Sequence, residues 1–209
     1  MINNKSSAPA TRRLQSEESF RTAADCIGEI TPGKSLFAIT RGQFSMIDAI
    51  LYCLDQCGRS KLSLWTWTIA EYEVQCLERL MIDGRLVSAS LIIDKGAQRK
   101  NAEIIKGWVG KFGPKSVRFA LNHAKIATVE SEKFRILLRG SMNLNFNPRF
   151  EQFDLTEGGE DFDLVRKIEN ELPYMENPTQ RELYAATKVG HAFSKEQLSL
   201  FDGIRTWKK

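Results

Sequence analysis

Residues 86–93 read LVSASLII, a nearly uninterrupted apolar run. A run of this length and β-branched character predicts a strand, and its few polar breaks predict a sheet covered on both faces. The neighbouring stretches supply the covering layers. Residues 43–57 and 71–82 carry apolar side chains at helical spacing, closed by Gly58 and by Asp83-Gly84. Residues 97–111 read as a third helix, and 160–172 as a further one ended by Pro173. Between them lie strand-like segments at 35–40 (SLFAIT), 61–70 (KLSLWTWTIA) and 116–121 (SVRFAL). A short helix over 20–30 is broken by Thr31-Pro32-Gly33. This alternation predicts an α/β fold in which a mixed β-sheet lies sandwiched between helices. Residues 1–18 are small and polar and read as a flexible arm carrying Arg12 and Arg13. The main domain is assigned to 19–173 and a short helical C-terminal extension to 174–209. In that extension, Asn177-Pro178-Thr179 resembles a helix start, and Ser194 is a candidate cap for a second short helix.

Composition narrows the class. With 209 residues and 42% hydrophobic content, the chain suits one domain with a sizeable core. A net charge of +4 and a pI near 8.9 are compatible with a phosphate-bearing partner. The four cysteines (Cys26, Cys53, Cys57, Cys76) form no CxxC pair, and two histidines are too few for a zinc site. They read as buried thiols in a reducing compartment. No apolar run approaches the roughly 20 residues that cross a bilayer, and MINNKSSAPATRR lacks a signal-peptide core. The expected setting is the cytoplasm, without membrane attachment.

The chemistry concentrates between His123 and Glu151. His123-Ala124-Lys125 and Gly140-Ser141-Met142-Asn143 each place polar residues two positions apart in β-branched, apolar surroundings, with Ser131-Glu132-Lys133 between them as a turn. On a strand, residues i and i+2 share a face. A hairpin centred near Glu132 sets position 123 opposite 141, so that His123, Lys125, Ser141 and Asn143 gather on one face. Elsewhere, Trp65 and Trp67 share a face of their strand, for which packing beneath a helix is preferred over stacking on nucleobases. Asp94 follows the 86–93 strand, a ligand-binding position in α/β sheets and equally a turn-forming one. Lys95, Arg99 and Lys100 give the third helix a basic start, read as a solvated face.

The two words together resemble the signature of the phospholipase D superfamily: HxK, four residues, an acid, then GSxN. His123, Lys125, Gly140, Ser141 and Asn143 match it; the acid is Glu130 in place of Asp, and nine residues separate Glu130 from Gly140, more than the family's usual gap. Asn147 and Glu151 resemble the Asn and Glu that follow GSxN in nuclease-like members, and Arg149 is a further candidate for phosphate contact. The resemblance implies a phospholipase D-like α/β sandwich and a metal-independent phosphodiesterase that uses no cofactor. In such enzymes one HxK histidine attacks phosphorus while another protonates the leaving oxygen. This chain has one HxK histidine, and His191 matches no motif. A two-fold homodimer supplies the second, with the active site at the interface.

Three functions follow as expectations. The first is a nuclease acting on DNA or RNA through a phosphohistidine, with His123, Lys125, Ser141, Asn143 and Glu130 as catalytic residues and Asn147, Arg149 and Glu151 binding substrate. The second is a phospholipid hydrolase or phosphatidyl transferase, whose usual two-motif, longer architecture this chain lacks. The third is a nucleic-acid-binding or assembly module with little catalysis, which the Glu130 substitution keeps in view.

Overall fold

A computed structural model describes residues 12–16, 18–144 and 148–187. Eight strands form one mixed sheet: β1 (Arg13–Gln15), β2 (Ser35–Arg41), β3 (Ser60–Thr66), β4 (Leu86–Asp94), β5 (Val117–Ala120), β6 (Lys125–Ser131), β7 (Arg135–Gly140) and β8 (Phe150–Glu157). Their order across the sheet is β1-β2-β8-β7-β6-β3-β4-β5. The helices are α1 (Ala23–Ile27), α2 (Met46–Cys57), α3 (Glu71–Ile82), α4 (Ala102–Phe112), α5 (Glu160–Glu171) and α6 (Gln180–Thr187). The expected α/β architecture is therefore present, and α3 spans the residues that periodicity predicts.

Burial divides along the strand pleat. Leu62 and Leu64 of β3, Ala127 and Val129 of β6, and Ile136 and Leu138 of β7 face one core with Ile47, Ile50 and Leu54 of α2 and Leu77 of α3. The alternate residues face α5. Its Glu169 carboxylate, 2% exposed, accepts hydrogen bonds from Ser63 Oγ, from Trp65 Nε1 at 2.7 Å and from Arg166. Trp65 is thus a packing residue beneath a helix. Burying a carboxylate demands this degree of satisfaction, because an unpaired one costs several kcal/mol. Three of the four cysteines are buried; burial pushes the Cys26 thiol up to about 12 and Cys57 to about 11, so neither ionises near neutrality.

The structure departs from expectation in three places. The arm is not loose throughout: Arg13–Gln15 pairs in parallel with β2. Arg12 pays for that order by pairing with Asp154, 6% exposed, while its guanidinium lies 5.1 Å from the centre of the Phe37 ring. The segment 148–157, left unassigned by composition, supplies β8, which joins β2 to β7. The expected start of α4 is also later, since residues 95–97 form a single 3₁₀ turn. A second helix capped by Ser194, like His191 and Asn147, lies outside the described residues.

The directions of the strands place the site. β3, β4 and β5 are mutually parallel; β6 runs against β3, β7 against β6, and β8 against both β7 and β2. The carboxyl ends of β2, β3, β4 and β7 therefore share one edge with the amino ends of β6 and β8. His123 stands just before β6 and Ser141 just after β7, both at that edge. Ligands of α/β sheets bind at such an edge.

Candidate active site

His123 reaches its position through a polar brace. The buried Asn122 donates from Nδ2 to Thr66 O (3.2 Å) and Ala124 O (3.3 Å), and its Oδ1 accepts from Ala124 N at 2.9 Å. Asp94 accepts from Asn122 N at 2.9 Å with one carboxylate oxygen and from Gly96 N at 2.8 Å with the other. Asp94 is thus a turn-forming acid that also fixes the loop carrying His123. Motif reading passed over Asn122; its place directly before the HxK word was the available signal. Chain direction changes here, and an Asx side chain is the residue type that satisfies the backbone at such a bend.

His123 is exposed, and Lys125 folds back over it. The Lys125 ammonium lies 3.3 Å from Nδ1 and 3.5 Å from Nε2 of the ring and donates to His123 O at 2.9 Å. An ammonium carries only donors, so its bond to the ring is to a nitrogen lone pair.

Ser141 is placed by the main chain. Its N–H donates to Gln152 O at 3.1 Å, and Gln152 N donates back to Ser141 Oγ at 2.9 Å. Ser141 Oγ also donates to the Glu151 carboxylate. For Gln152 O to sit there, residue 140 must lack a side chain: a Cβ on Gly140 falls 2.2 Å from that oxygen. The glycine of the GSxN word has a steric reason, and it is not a positive φ. Asn143 is half-buried, and its Oδ1 is fully buried with no hydrogen-bond partner among the described residues. An unmet buried acceptor costs about 1–3 kcal/mol.

The register differs from expectation by one residue. Ser131 N donates to Phe134 O at 2.9 Å, which closes a two-residue loop at Glu132-Lys133, and Lys125 pairs with Gly140. The hairpin axis therefore falls between Glu132 and Lys133, not on Glu132. Because β7 stops at Gly140, simple face alternation no longer governs Ser141 and Asn143. The structure unites His123 with Lys125 and Ser141 with Glu151, and sets the two pairs at adjoining strand ends. Arg149 is exposed one residue before β8.

Glu130 is not at this edge. It lies toward the other end of β6, paired in register with Lys61 and Arg135, and contacts Arg166 at 3.8 Å. At about 3.3 Å per strand residue it stands some 16 Å along the strand from Lys125. The strand thus carries Glu130, expected among the catalytic residues, away from the His123 edge. Lys95 of the basic cluster is also engaged, with Gln98, with Asn177 at 3.1 Å and over the Phe119 ring at 5.1 Å.

No family model and no curated protein matches the chain. Among solved structures, phosphatidylserine synthase from Haemophilus influenzae Rd KW20 aligns over 74% of this chain at 15% identity with a TM-score of 0.50. The match spans 43% of that enzyme, less than half its length. NucT from Helicobacter pylori aligns over 66% of this chain and 96% of its own, at 14% identity and a TM-score of 0.49. TrmBL2, an archaeal chromatin protein, aligns over 65% of this chain and 50% of its own, at 14% identity and a TM-score of 0.38. At these identities the likeness is one of fold. The mixed α/β sheet agrees with the phospholipase D-like architecture that the HxK and GSxN words imply. No helix among the described residues is long and apolar enough to cross a membrane.

Proposed function

We propose that this protein is a metal-independent phosphodiesterase that cleaves a nucleic-acid backbone through a phosphohistidine, with its active site completed across a homodimer. The observation that carries the reading is the exposed His123 imidazole held against the Lys125 ammonium, beside Ser141, at the carboxyl edge of the sheet. A neutral ring nitrogen attacks phosphorus, forming a P–N bond as the P–O bond to the leaving strand breaks. The protonated His123 of the second copy gives its proton to the departing oxygen. That second ring then takes a proton from water; the resulting hydroxide attacks phosphorus, the P–N bond breaks, and both histidines return to their starting states. Lys125 from each copy stabilises the charge that develops on the phosphoryl oxygens. Asn143, Arg149 and Glu151 are assigned to substrate positioning, as is Asn147.

The testing experiment is cleavage of labelled single- and double-stranded DNA and RNA in excess EDTA, with His123→Ala alongside. Cleavage that survives EDTA and disappears in the variant is the expected result. Salt-sensitive binding without cleavage by either protein rejects the enzyme in favour of a binding module. Turnover of phospholipid vesicles but of no nucleic acid favours the second expectation, to which the fold shared with phosphatidylserine synthase gives some support.

A further inference from the structure

Past the end of β4 lies a cleft of about 630 Å³ lined by Lys95, Gln98, Arg99, Ala102, Asn177 and Gln180. Its side chains bring two cations, three amides and no carboxylate. The cleft at the opposite end of the sheet is similar in size, about 590 Å³, but sets Glu130 and Glu132 among its cations. Lys95 is half-buried and poorly neutralised. Its ammonium donates to Gln98 Oε1 and to Asn177 Oδ1 at 3.1 Å, and lies 5.1 Å from the centre of the Phe119 ring, all uncharged partners. The acid that acts on it, Glu182, is taken up in capping α6, where it accepts from Thr179 N and Oγ1, both at 2.7 Å. Burial outweighs that acid and lowers the Lys95 pKa, as expected of a cation short of counter-charge. Arg99 is exposed and has no ion pair among the described residues. Ala102 opens α4, and Asn101 makes no side-chain cap bond to that first turn. Backbone N–H groups of an uncapped turn add donors for an anion.

The cleft shares a face and an edge with Lys125. Ala127, Leu64, Leu91 and Val117 form one register row across β6, β3, β4 and β5, and all four belong to the core beneath α2 and α3. Lys125 stands two residues from Ala127, and Phe119 two from Val117, both toward the His123 edge, so they lie on that same face. At about 4.8 Å between strands, such a row spans roughly 14 Å. The crossing 121–124 that carries His123 runs between its ends, from β5 to β6. Asp94 ties the cleft to that crossing: its carboxylate accepts from Gly96 N at 2.8 Å and from Asn122 N at 2.9 Å. Cations on a surface are most often simply solvated. Here they line a hollow, have no carboxylate in it, and stand beside the candidate phosphate-cleaving residues. A polynucleotide carries an anion at every residue, so a strand seated at His123 brings further phosphates within reach of the hollow.

We propose that this cleft is a phosphate subsite, in which Lys95 and Arg99 hold a backbone phosphate of the substrate strand a few nucleotides from the one that His123 attacks. This rests on the nucleic-acid reading above and gives the strand a path across the edge of the sheet. The test uses the full chain carrying His123→Ala, so that cleavage does not interfere. Fluorescence anisotropy follows binding of labelled single-stranded 12-mers of DNA and of RNA from about 50 to 200 mM salt. Arg99→Ala is expected to weaken binding about tenfold at the lowest salt and to flatten the slope of log affinity against log salt by about 0.7, the value of one lost phosphate contact. Arg99→Lys keeps the slope. Arg59→Ala, which removes an exposed arginine from the opposite cleft, leaves affinity and slope unchanged. An unchanged slope in Arg99→Ala overturns the proposal, and so does an equal flattening in Arg99→Ala and Arg59→Ala, since the charge then acts only at long range. Wild-type cleavage of the same oligonucleotides separates the subsite from the nuclease. A slope that depends on Arg99 without cleavage sinks the nuclease and keeps the subsite. Cleavage with a slope indifferent to Arg99 does the reverse. Absence of binding to both polymers at low salt overturns the two together.

Discussion

The two ends of the central strands were built to opposite rules. At the edge away from His123, charges are interleaved and mutually answered: Glu130 meets Arg166, Arg135 meets Asp163 at 2.6 Å, and Glu157 accepts from Gly33 N at 2.7 Å. That end also holds a cleft of about 590 Å³ lined by Cys57, Arg59, Lys61, Glu130 and Lys133. At the His123 edge a cleft of about 630 Å³ past the end of β4 is lined by Lys95, Gln98, Arg99 and Asn177, and Asn143 Oδ1 has no hydrogen-bond partner among the described residues. Neither cleft is lined by His123, Lys125 or Ser141. What distinguishes the His123 end is strand direction together with unspent hydrogen-bonding capacity; concavity does not separate the two ends.

Substitutions at each end sharpen that contrast. The largest effect belongs to His123→Ala, for which cleavage falls at least about a thousandfold because the nucleophile is gone. Circular dichroism stays at the wild-type spectrum, since the ring is exposed. Retained cleavage in that variant removes the distinction between the ends altogether.

Gly140→Ala comes next. Its Cβ meets backbone, which cannot swing aside, so the variant loses about 1–3 kcal/mol or more and its thermal midpoint drops by roughly 4–10 °C. Scanning calorimetry that finds no shift refutes the close approach of Gln152 O.

Asp161 tests whether the charges around Arg139 hold the sheet at low pH. Burial pushes its carboxyl up, but bonds from Arg139 (2.6 Å) and Thr156 (2.9 Å) outweigh burial and hold it below the ordinary 3.8. A depressed folded value means its contribution is complete above 3.8 and disappears as pH falls through the lower folded value. Asp161→Asn is therefore less stable than wild type at neutral pH, and its stability declines less steeply on acidification below pH 3.8. Urea midpoints across that range measure the slope, and parallel curves contradict the assignment.

The smallest effect is at the far end. Glu130→Gln leaves cleavage within about twofold and changes stability by less than about 1 kcal/mol, because its ion pair is partly solvated. A hundredfold loss of activity instead restores Glu130 to the site and erases the contrast.

Much of the fold was legible because apolar periodicity is a direct imprint of burial. The run at 86–93 forms β4, buried at Leu86, Ala89 and Leu91–Ile93 while Val87 and Ser88 stay exposed, and the helical spacing at 71–82 matches α3. The site residues were legible as two words, but their relation was not. Register depends on whether the turn holds two residues or three, and the hydroxyl of Ser131 decides it by accepting from Lys133 N at 3.1 Å and Phe134 N at 2.9 Å. Spacing alone cannot weigh that local bond against a wider loop. β8 escaped notice because its pattern is polar at the start, where the pairing to β2 supplies the order. Asn122 was silent for a related reason: its partners Thr66 and Asp94 lie 56 and 28 residues away in the chain.

Gly140 carries a longer consequence. Since Ser141 N is bonded to Gln152 O across a gap that admits no side chain, the backbone at residue 141 is held without help from neighbouring side chains. A lineage can therefore exchange the rim residues while the main chain at Ser141 keeps its coordinates. Tolerance of side-chain change and constancy of backbone are then the same property of one close contact.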